Sequence, residues 1–379
     1  MSVAGISKDR TTQRARLASV VDARGLRAAI ITSYAGVSYF SGSHIITQVV
    51  VPDRLEFFVL FDDTTPALLL CNLETSMVRE QSDVTDISEY VEFADDPVEA
   101  LAGFLSGRGI TSGRVGLELR RLSAAACSAL AAALPELELV GIDDEVEQLQ
   151  TVKTAAEVEM LRHGAQVTLD AVLAAAGRAK AGDSELALCS DIASGLMTDG
   201  GVLAFMVFGT GRRALGAHVE AGDRPLQTGD LWRIDLGARF FETIHSDLAR
   251  TGVIGEPTPR QEEVLWALRA TQDAGYAALE PGRPAREVFE AVRSEFARQK
   301  LPFFMPHVGH GLGIGLHENP MIEPANDMLL EAGMVINIEP MVVFAELGEC
   351  YHTEDLALVT AEGHELLTEP QNALIRIAG

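Results

Sequence analysis

The chain has 379 residues, 47% of them hydrophobic, with a formal charge of −25 and four cysteines. That length allows two or three ordinary domains with sizeable cores. The acidic balance argues against nucleic acid as a partner, because such a surface must be basic.

The opening MSVAGISKDRTTQRARL is polar and lacks the apolar centre of a secretory signal. From residue 12 to about 150, helical and strand-like patterns then alternate. QRARLASVVDARG reads as an amphipathic helix stopped by Gly25. LRAAIIT, EFFVLFDD, PALLLCN and GRVGLEL read as short strands, punctuated by Pro66 and Gly113. LSAAACSALAAAL reads as a helix begun by a serine cap and ended before Pro135. These elements predict a mixed α/β domain over residues 1–150. The longest apolar runs fall short of the roughly 18–20 residues that cross a bilayer. Cys71, Cys127, Cys189 and Cys350 show no CxxC spacing, so a reducing, cytoplasmic setting without membrane attachment is expected.

Near residue 150 the pattern changes, and a second domain is expected over 151–379. Val158, Leu161, Ala165 and Leu169 form one stripe of a long helix, and Asp183 is placed to cap a second helix through Leu196. Strand-like pieces follow at 202–208, 231–238 and 244–254. Two more helices are expected, at about 260–279 before Pro281-Gly282 and at about 284–299 with Pro284 in its first turn. GLGIGLHE, GMVINIEPMVVF and HTEDLALVT complete a strand-rich remainder.

The unusual polar residues all lie in this second half. IDLGARFFETIHSDLART folds back through Phe240, Phe241 and Glu242, and pairing about Phe241 would set Asp235 opposite Asp247. Two ionised carboxylates at about 5 Å repel by roughly 3 kcal/mol at an effective dielectric near 20. Glu339 in MVINIEPMVV and Glu354 in YHTEDLALV repeat the anomaly, and no lysine is near any of the four in sequence. A single acidic residue in a strand is ordinarily solvent-facing. Four in apolar strands call for a cation. PHVGHGLGIGLHENP adds His307, His310 and His317 among glycines that let backbone pass close to a ligand. Oxygen and imidazole ligands without thiolates suit Mn²⁺, Co²⁺, Fe²⁺ or Zn²⁺.

In ordered sequence, Asp235 in IDLGA, Asp247 in HSDLART, His310 in GHGLGIGLHE, Glu339 in NIEP and Glu354 in TEDLALVT resemble the M24 metallopeptidases. That clan includes methionine aminopeptidase, aminopeptidase P, prolidase and creatinase. RVGLE at 114–118 and VKTAAEVEMLR at 152–162 are similar to the N-domain end and linker helix of the prolidase and creatinase branch. The resemblance implies an α+β chain, a creatinase-like N-terminal α/β domain followed by a pita-bread catalytic domain. It implies two divalent ions, with Mn²⁺ or Co²⁺ ahead of Zn²⁺ or Fe²⁺, and a bridging hydroxide as nucleophile. By position, Asp235 would hold one ion, Asp247 and Glu354 would bridge both, and His310 and Glu339 would complete the other shell. Glu339 would also move the proton, His218 would sit beside the leaving amine, and His317 would contact the scissile carbonyl.

Three departures bear on substrate. The Asp235–Asp247 interval is one residue longer than is common in the family. Pro306 stands where a histidine is often found, with His307 displaced by one. His352 stands where aminopeptidase P relatives often carry arginine. His307 and His352 are candidate substrate-binding residues, and Phe303, Phe304 and Met305 are candidate apolar walls. The expected activity is cleavage of Xaa-Pro dipeptides or short peptides by a homodimer. The alternatives are a creatinase-like C–N hydrolase or lyase acting on a small amide, or a binding protein that has lost catalysis.

Overall fold

The computed structural model describes residues 10–51, 54–241 and 243–379. The first nine residues of the polar opening, and Glu242 in the hairpin, lie outside the described residues. Two compact units divide the chain, the first ending at Gln150 and the second running Thr151–Gly379. Among the described residues no helix is long and apolar enough to cross a membrane.

The first unit is built on a six-stranded sheet. Its strands are β1 (Ala28–Ile31), β2 (Phe57–Phe61), β3 (Pro66–Cys71), β4 (Asp86–Tyr90), β5 (Ser112–Leu117) and β6 (Glu136–Gly141). They run in the order β4-β3-β2-β1-β5-β6, with β1–β2 and β2–β3 antiparallel and the other neighbours parallel. All five residues of FFVLF are buried, which requires cover on both faces of the sheet. Phe57 and Val59 join Leu101, Leu105 and Leu130 of the Pro97–Gly107 and Ala124–Ala133 helices. On the opposite face Phe40 stacks on Phe58 at 5.6 Å. Ser123 caps the Ala124–Ala133 helix by accepting from Ala126 N–H.

The second unit has two halves of similar plan, each a pair of helices laid over a sheet that is antiparallel but for the parallel C-terminal strand in the first half. In the first half, β7 (Val202–Thr210), β8 (Leu231–Phe240), the short β9 (Ile244–His245) and β10 (Leu248–Ile254) form the sheet with the C-terminal strand. Helices Ala155–Arg178 and Glu185–Thr198 cover it, Leu169, Val172, Ile192 and Leu196 packing on Phe208, Trp232, Ile234 and Leu236. Thr154 and Glu157 close a capping box at the first helix. The second helix is capped by Ser184, not by Asp183, whose carboxylate instead accepts from Lys180 N–H.

In the second half the sheet order is β11-β12-β15-β16. The strands here are β11 (Gly309–Gly311), β12 (Val335–Ile338), β13 (Met341–Phe344), β14 (Glu349–His352), β15 (Asp355–Thr360) and β16 (Gly363–Leu366), with β13–β14 a separate hairpin; β17 (Ile375–Ile377) is the C-terminal strand beside β10. Helices Pro259–Ala277 and Ala285–Arg298 bury Leu265, Leu268, Val288 and Val292 against Ile336, Ile338 and Val359. Pro284 is the residue before the second of these helices rather than its first turn. GLGIGLHE is not a continuous strand. After β11 the chain bends, because the Glu318 carboxylate turns back to accept from Gly315 N–H at 2.7 Å and pairs with Lys153.

The halves are stitched together where β10 meets the β14–β15 junction. Glu354 N–H donates to Ala249 O at 3.1 Å, and Thr251 Oγ1 donates to His352 O at 2.8 Å. Arg250 and Asp355 form a fully buried pair at 2.5 Å. Removing one member of such a pair costs about 3–5 kcal/mol, so the pair fixes which way the flanking side chains point. Asp355 faces this lock, and its neighbour Glu354 therefore faces the opposite way.

Candidate metal centre

The β8–β10 register differs from pairing about Phe241. Asp235 faces Ala249, and Leu236 faces Leu248. Asp247 is therefore diagonal to Asp235 on the same face, where Cβ atoms lie roughly 7–8 Å apart. The turn is centred one residue later than Phe241, because β8 continues to Phe240 and pairs there with Ile244. The carboxylates still converge, because oxygens of Asp235, Asp247 and Glu354 lie within 4.8 Å of one another.

His310 enters from the other half. Gly309 and Gly311 flank it because β11 is squeezed between two backbones. A Cβ at Gly309 would overlap the Asn337 carbonyl oxygen, and one at Gly311 would overlap that of Asn319. His310 Nδ1 lies 3.0 Å from Gly311 O. A carbonyl only accepts, so Nδ1 carries the proton and Nε2 presents a lone pair. That lone pair faces Asp247 Oδ2 at 3.7 Å, Glu339 Oε1 at 3.6 Å and Glu354 Oε1 at 3.8 Å. A lone pair surrounded by carboxylate oxygens is repulsive unless a cation lies among them.

Three overlapping sets of ligand atoms fit within 4.8 Å: Asp247, His310 and His317; His310, Glu339 and Glu354; Asp235, Asp247 and Glu354. Asp247 Oδ1 and Glu354 Oε1 are buried without a hydrogen-bond partner. Such orphaned anionic oxygens are costly to bury, and a divalent ion would satisfy them. The residues present therefore fit the metal that their chemistry implies.

Burial first, and then the neighbouring carboxylates, push Asp247 and Glu354 well above the ordinary carboxylate range. Asp235 is pushed up to about 7, by burial and then by Glu339. Glu339 is the exception. Burial pushes it up, but the adjacent His307, and then the nearby His310 and His352, outweigh that and hold it low. His307 Nδ1 stands 3.3 Å from Glu339 Oε1. His352 is buried, with Nδ1 4.0 Å from Asp235 Oδ2 and Nε2 4.0 Å from Glu339 Oε2. Burial and then Arg233 push His352 down to about 3, so it is neutral at pH 7.

A cavity of about 820 Å³ opens onto these groups, and His218, His307, His317 and His352 all line it. His317 stacks on His310 with ring centroids 4.0 Å apart. His218 lies on the cavity wall, and among the described residues no hydrogen bond or ion pair joins it to the carboxylates. Phe304 and Met305 line the cavity as well, whereas Phe303 turns into the core against Phe289 and Phe296. Arg233 is a lining residue that sequence reasoning passed over. Period-2 alternation in β8 puts it on the same face as Asp235, and that spacing was the available signal.

Comparison with known proteins agrees with this construction. Residues 159–361 match metallopeptidase family M24, and residues 13–152 match the creatinase/prolidase N-terminal domain. The chain belongs to family M24. The probable dipeptidase PepE of Mycobacterium tuberculosis is 30% identical over 367 residues, covering 93% of this chain and 94% of that protein. The Xaa-Pro dipeptidase of Pyrococcus horikoshii is 26% identical over 363 residues, covering 95% and 97%. Among solved structures, dipeptidase PepE from Mycobacterium ulcerans superposes with a TM-score of 0.82 at 28% identity, covering 98% of each chain. The X-Pro aminopeptidase of Thermotoga maritima, with a TM-score of 0.85 at 23% identity and coverage of 96% and 99%, shares the fold. This M24 chain thus joins a creatinase-type N-terminal domain to a pita-bread catalytic domain.

Proposed function

We propose that this M24 chain is a dinuclear metal-dependent peptidase that cleaves Xaa-Pro dipeptides or short peptides. The observation that carries the reading is the sharing of ligands. The carboxylates Asp247 and Glu354 each belong to two of the three ligand sets, as neighbouring ions with common ligands require. Asp235 would serve one ion, Asp247 and Glu354 would serve both, and His310 and Glu339 would complete the ligand set of the other ion. Bound there, two divalent ions, Mn²⁺ or Co²⁺ in preference to Zn²⁺ or Fe²⁺, would acidify a water and polarise the amide carbonyl.

The chain's own residues supply the rest. Glu339, held low chiefly by the adjacent His307, accepts the proton of the attacking water and passes it to the leaving nitrogen. His317 donates to the carbonyl oxygen, and His218 contacts the amide at the departing side. His307 and His352 bound the substrate pocket, and Phe304 and Met305 offer the apolar wall that a proline ring needs. Proline has no amide N–H, so a wall without an acceptor suits it. The PepE and Xaa-Pro dipeptidase relatives support a small peptide substrate. Free cysteines support a cytoplasmic setting, and a homodimer follows the resemblance to the prolidase branch.

The test is hydrolysis of matched Xaa-Pro and Xaa-Ala dipeptides by Mn²⁺- or Co²⁺-loaded protein. Faster cleavage of Xaa-Pro is expected. Indifference to every Xaa-Pro peptide, with turnover of a small non-peptide amide, would favour the creatinase-like alternative.

A further inference from the structure

His218 stands on the cavity wall yet is exposed, and among the described residues its ring makes no hydrogen bond. Its direction therefore depends on the backbone of the loop that carries it. That backbone is fastened on both sides of His218. Gly216 O and Ala217 O accept from Arg233 Nη2 at 2.7 and 2.9 Å. Val219 O accepts from Phe208 N–H at 2.9 Å, and Glu220 O accepts from Arg213 Nη2 at 2.6 Å. Every backbone carbonyl within two residues of His218, apart from its own, is thus committed.

One buried side chain joins the two ends of this loop. Glu185, the first residue of the Glu185–Thr198 helix, is fully buried. Its Oε1 accepts from Thr210 N–H at 3.0 Å and from Thr210 Oγ1 at 2.7 Å, where the loop leaves β7. Its Oε2 accepts from Gly222 N–H at 3.1 Å, at the loop's far end, and from Arg213 Nε at 3.2 Å. A carboxyl group is costly to bury alone, and four donors aimed at its two oxygens satisfy it. Arg213 then carries the tie onward to Glu220. The helix main chain adds bonds from Glu185 N–H to Arg224 O and from Leu186 N–H to Gly222 O, each at 3.0 Å. The far end therefore stays paired if the carboxyl group is altered.

We infer that Glu185 is a positioning residue for turnover: its carboxyl group fixes the loop that aims His218 at the departing side of the amide. This rests on the peptidase reading above. An acidic residue at a helix N-terminus also stabilises the helix through its dipole. That role alone would shift the melting temperature and leave catalysis unchanged. Glutamine keeps the shape but can accept on one side only. With its oxygen toward Thr210, its NH₂ would face Gly222 N–H and Arg213 Nε, donor against donor. A catalytic group displaced by about 1 Å can cost roughly 100-fold in rate.

The experiment is a double-mutant cycle of Glu185→Gln and His218→Ala in the Mn²⁺-loaded enzyme acting on Gly-Pro. Hydrogen exchange is followed in parallel across residues 214–220. Glu185→Gln alone should lower kcat by about 10- to 100-fold while KM stays within about 2-fold and Mn²⁺ occupancy is unchanged. Exchange across the segment should quicken by about 10-fold. In the His218→Ala background the same substitution should lower kcat by less than about 2-fold, because its effect passes through His218. A loss of equal size in both backgrounds, or a Glu185→Gln enzyme with wild-type kcat or wild-type exchange, would overturn the inference. Should Glu185→Gln fail to fold, Arg213→Gln takes its place, since that half-exposed side chain links Glu185 to Glu220. No loss of kcat, or a loss that persists in the His218→Ala background, would overturn it equally. A wild type that cleaves no Xaa-Pro peptide would overturn the peptidase reading, and exchange then decides alone. Quicker exchange in Glu185→Gln would sustain the tether, and unchanged exchange would overturn it.

Discussion

Asp247→Asn should make the metal-free protein more stable at pH 8 while making the metal-loaded protein less so. Oxygens of Asp235, Asp247 and Glu354 lie within 4.8 Å of one another. At that distance two ionised carboxylates repel by roughly 3 kcal/mol at an effective dielectric near 20. The free protein escapes part of this by keeping protons, since all three groups are raised, Asp235 to about 7. The sign follows. A carboxyl raised in the folded state holds a proton that the unfolded chain releases, so stability falls as pH rises from about 4 through the folded value. Asparagine keeps the shape and removes one charge, which leaves about 1–3 kcal/mol to be recovered at pH 8. For a unit of this size that raises Tm by roughly 2–6 °C. Metal adds stability to the wild type by mass action, and the variant, short of one ligand, should gain much less. Scanning calorimetry of EDTA-treated and Mn²⁺-loaded protein at pH 5 and pH 8 reads all four states. A metal-free variant that melts below the wild type at pH 8, or one that Mn²⁺ stabilises as fully, would refute the reasoning.

His218→Ala should lower kcat by about 100-fold or more with metal content unchanged, since its proposed work is contact with the departing amide; metal loss on elemental analysis would make it a ligand instead. Gly309→Ala should cost several kcal/mol and loosen the metal centre, because the new Cβ meets the Asn337 carbonyl oxygen; unchanged melting and Mn²⁺ occupancy would contradict this. In the first unit, burial pushes Glu56 up to about 8, with Oε2 accepting from Cys71 N–H and Oε1 unpartnered. The stability it affects therefore declines between about pH 4.5 and pH 8, and Glu56→Gln should flatten that decline and raise Tm at pH 8. Parallel pH–melting curves for variant and wild type would count against it.

The acidic residues of the centre were legible because charge in apolar strands is anomalous wherever the strands lie. Asp235, Glu339 and Glu354 each sit among residues that the structure buries. Register was less legible. Pairing about Phe241 and pairing one residue later leave turns of equal length, and the later centre makes Ala249 the partner of Asp235 without moving Asp247 off the shared face. GLGIGLHE reads as a strand by alternation, yet its course is set by Glu318 folding back on Gly315 and pairing with Lys153, which is remote in sequence. The choice of Ser184 over Asp183 as a cap is settled by which side chain reaches the Ala187 N–H, and adjacent candidates look alike in sequence. Phe303 and Phe304 differ only in direction, one into the core and one onto the cavity. Arg233 is legible only through its spacing, since a single arginine in a strand carries no anomaly of its own, while two residues from Asp235 it shares that face of β8.

Titrating Mn²⁺ into EDTA-stripped protein while following Gly-Pro hydrolysis tests whether two bound ions carry the peptidase activity. No turnover is expected without metal, and activity should rise to saturation near two ions per chain. Full turnover in the stripped protein, or two ions bound with no Xaa-Pro cleavage, would contradict it.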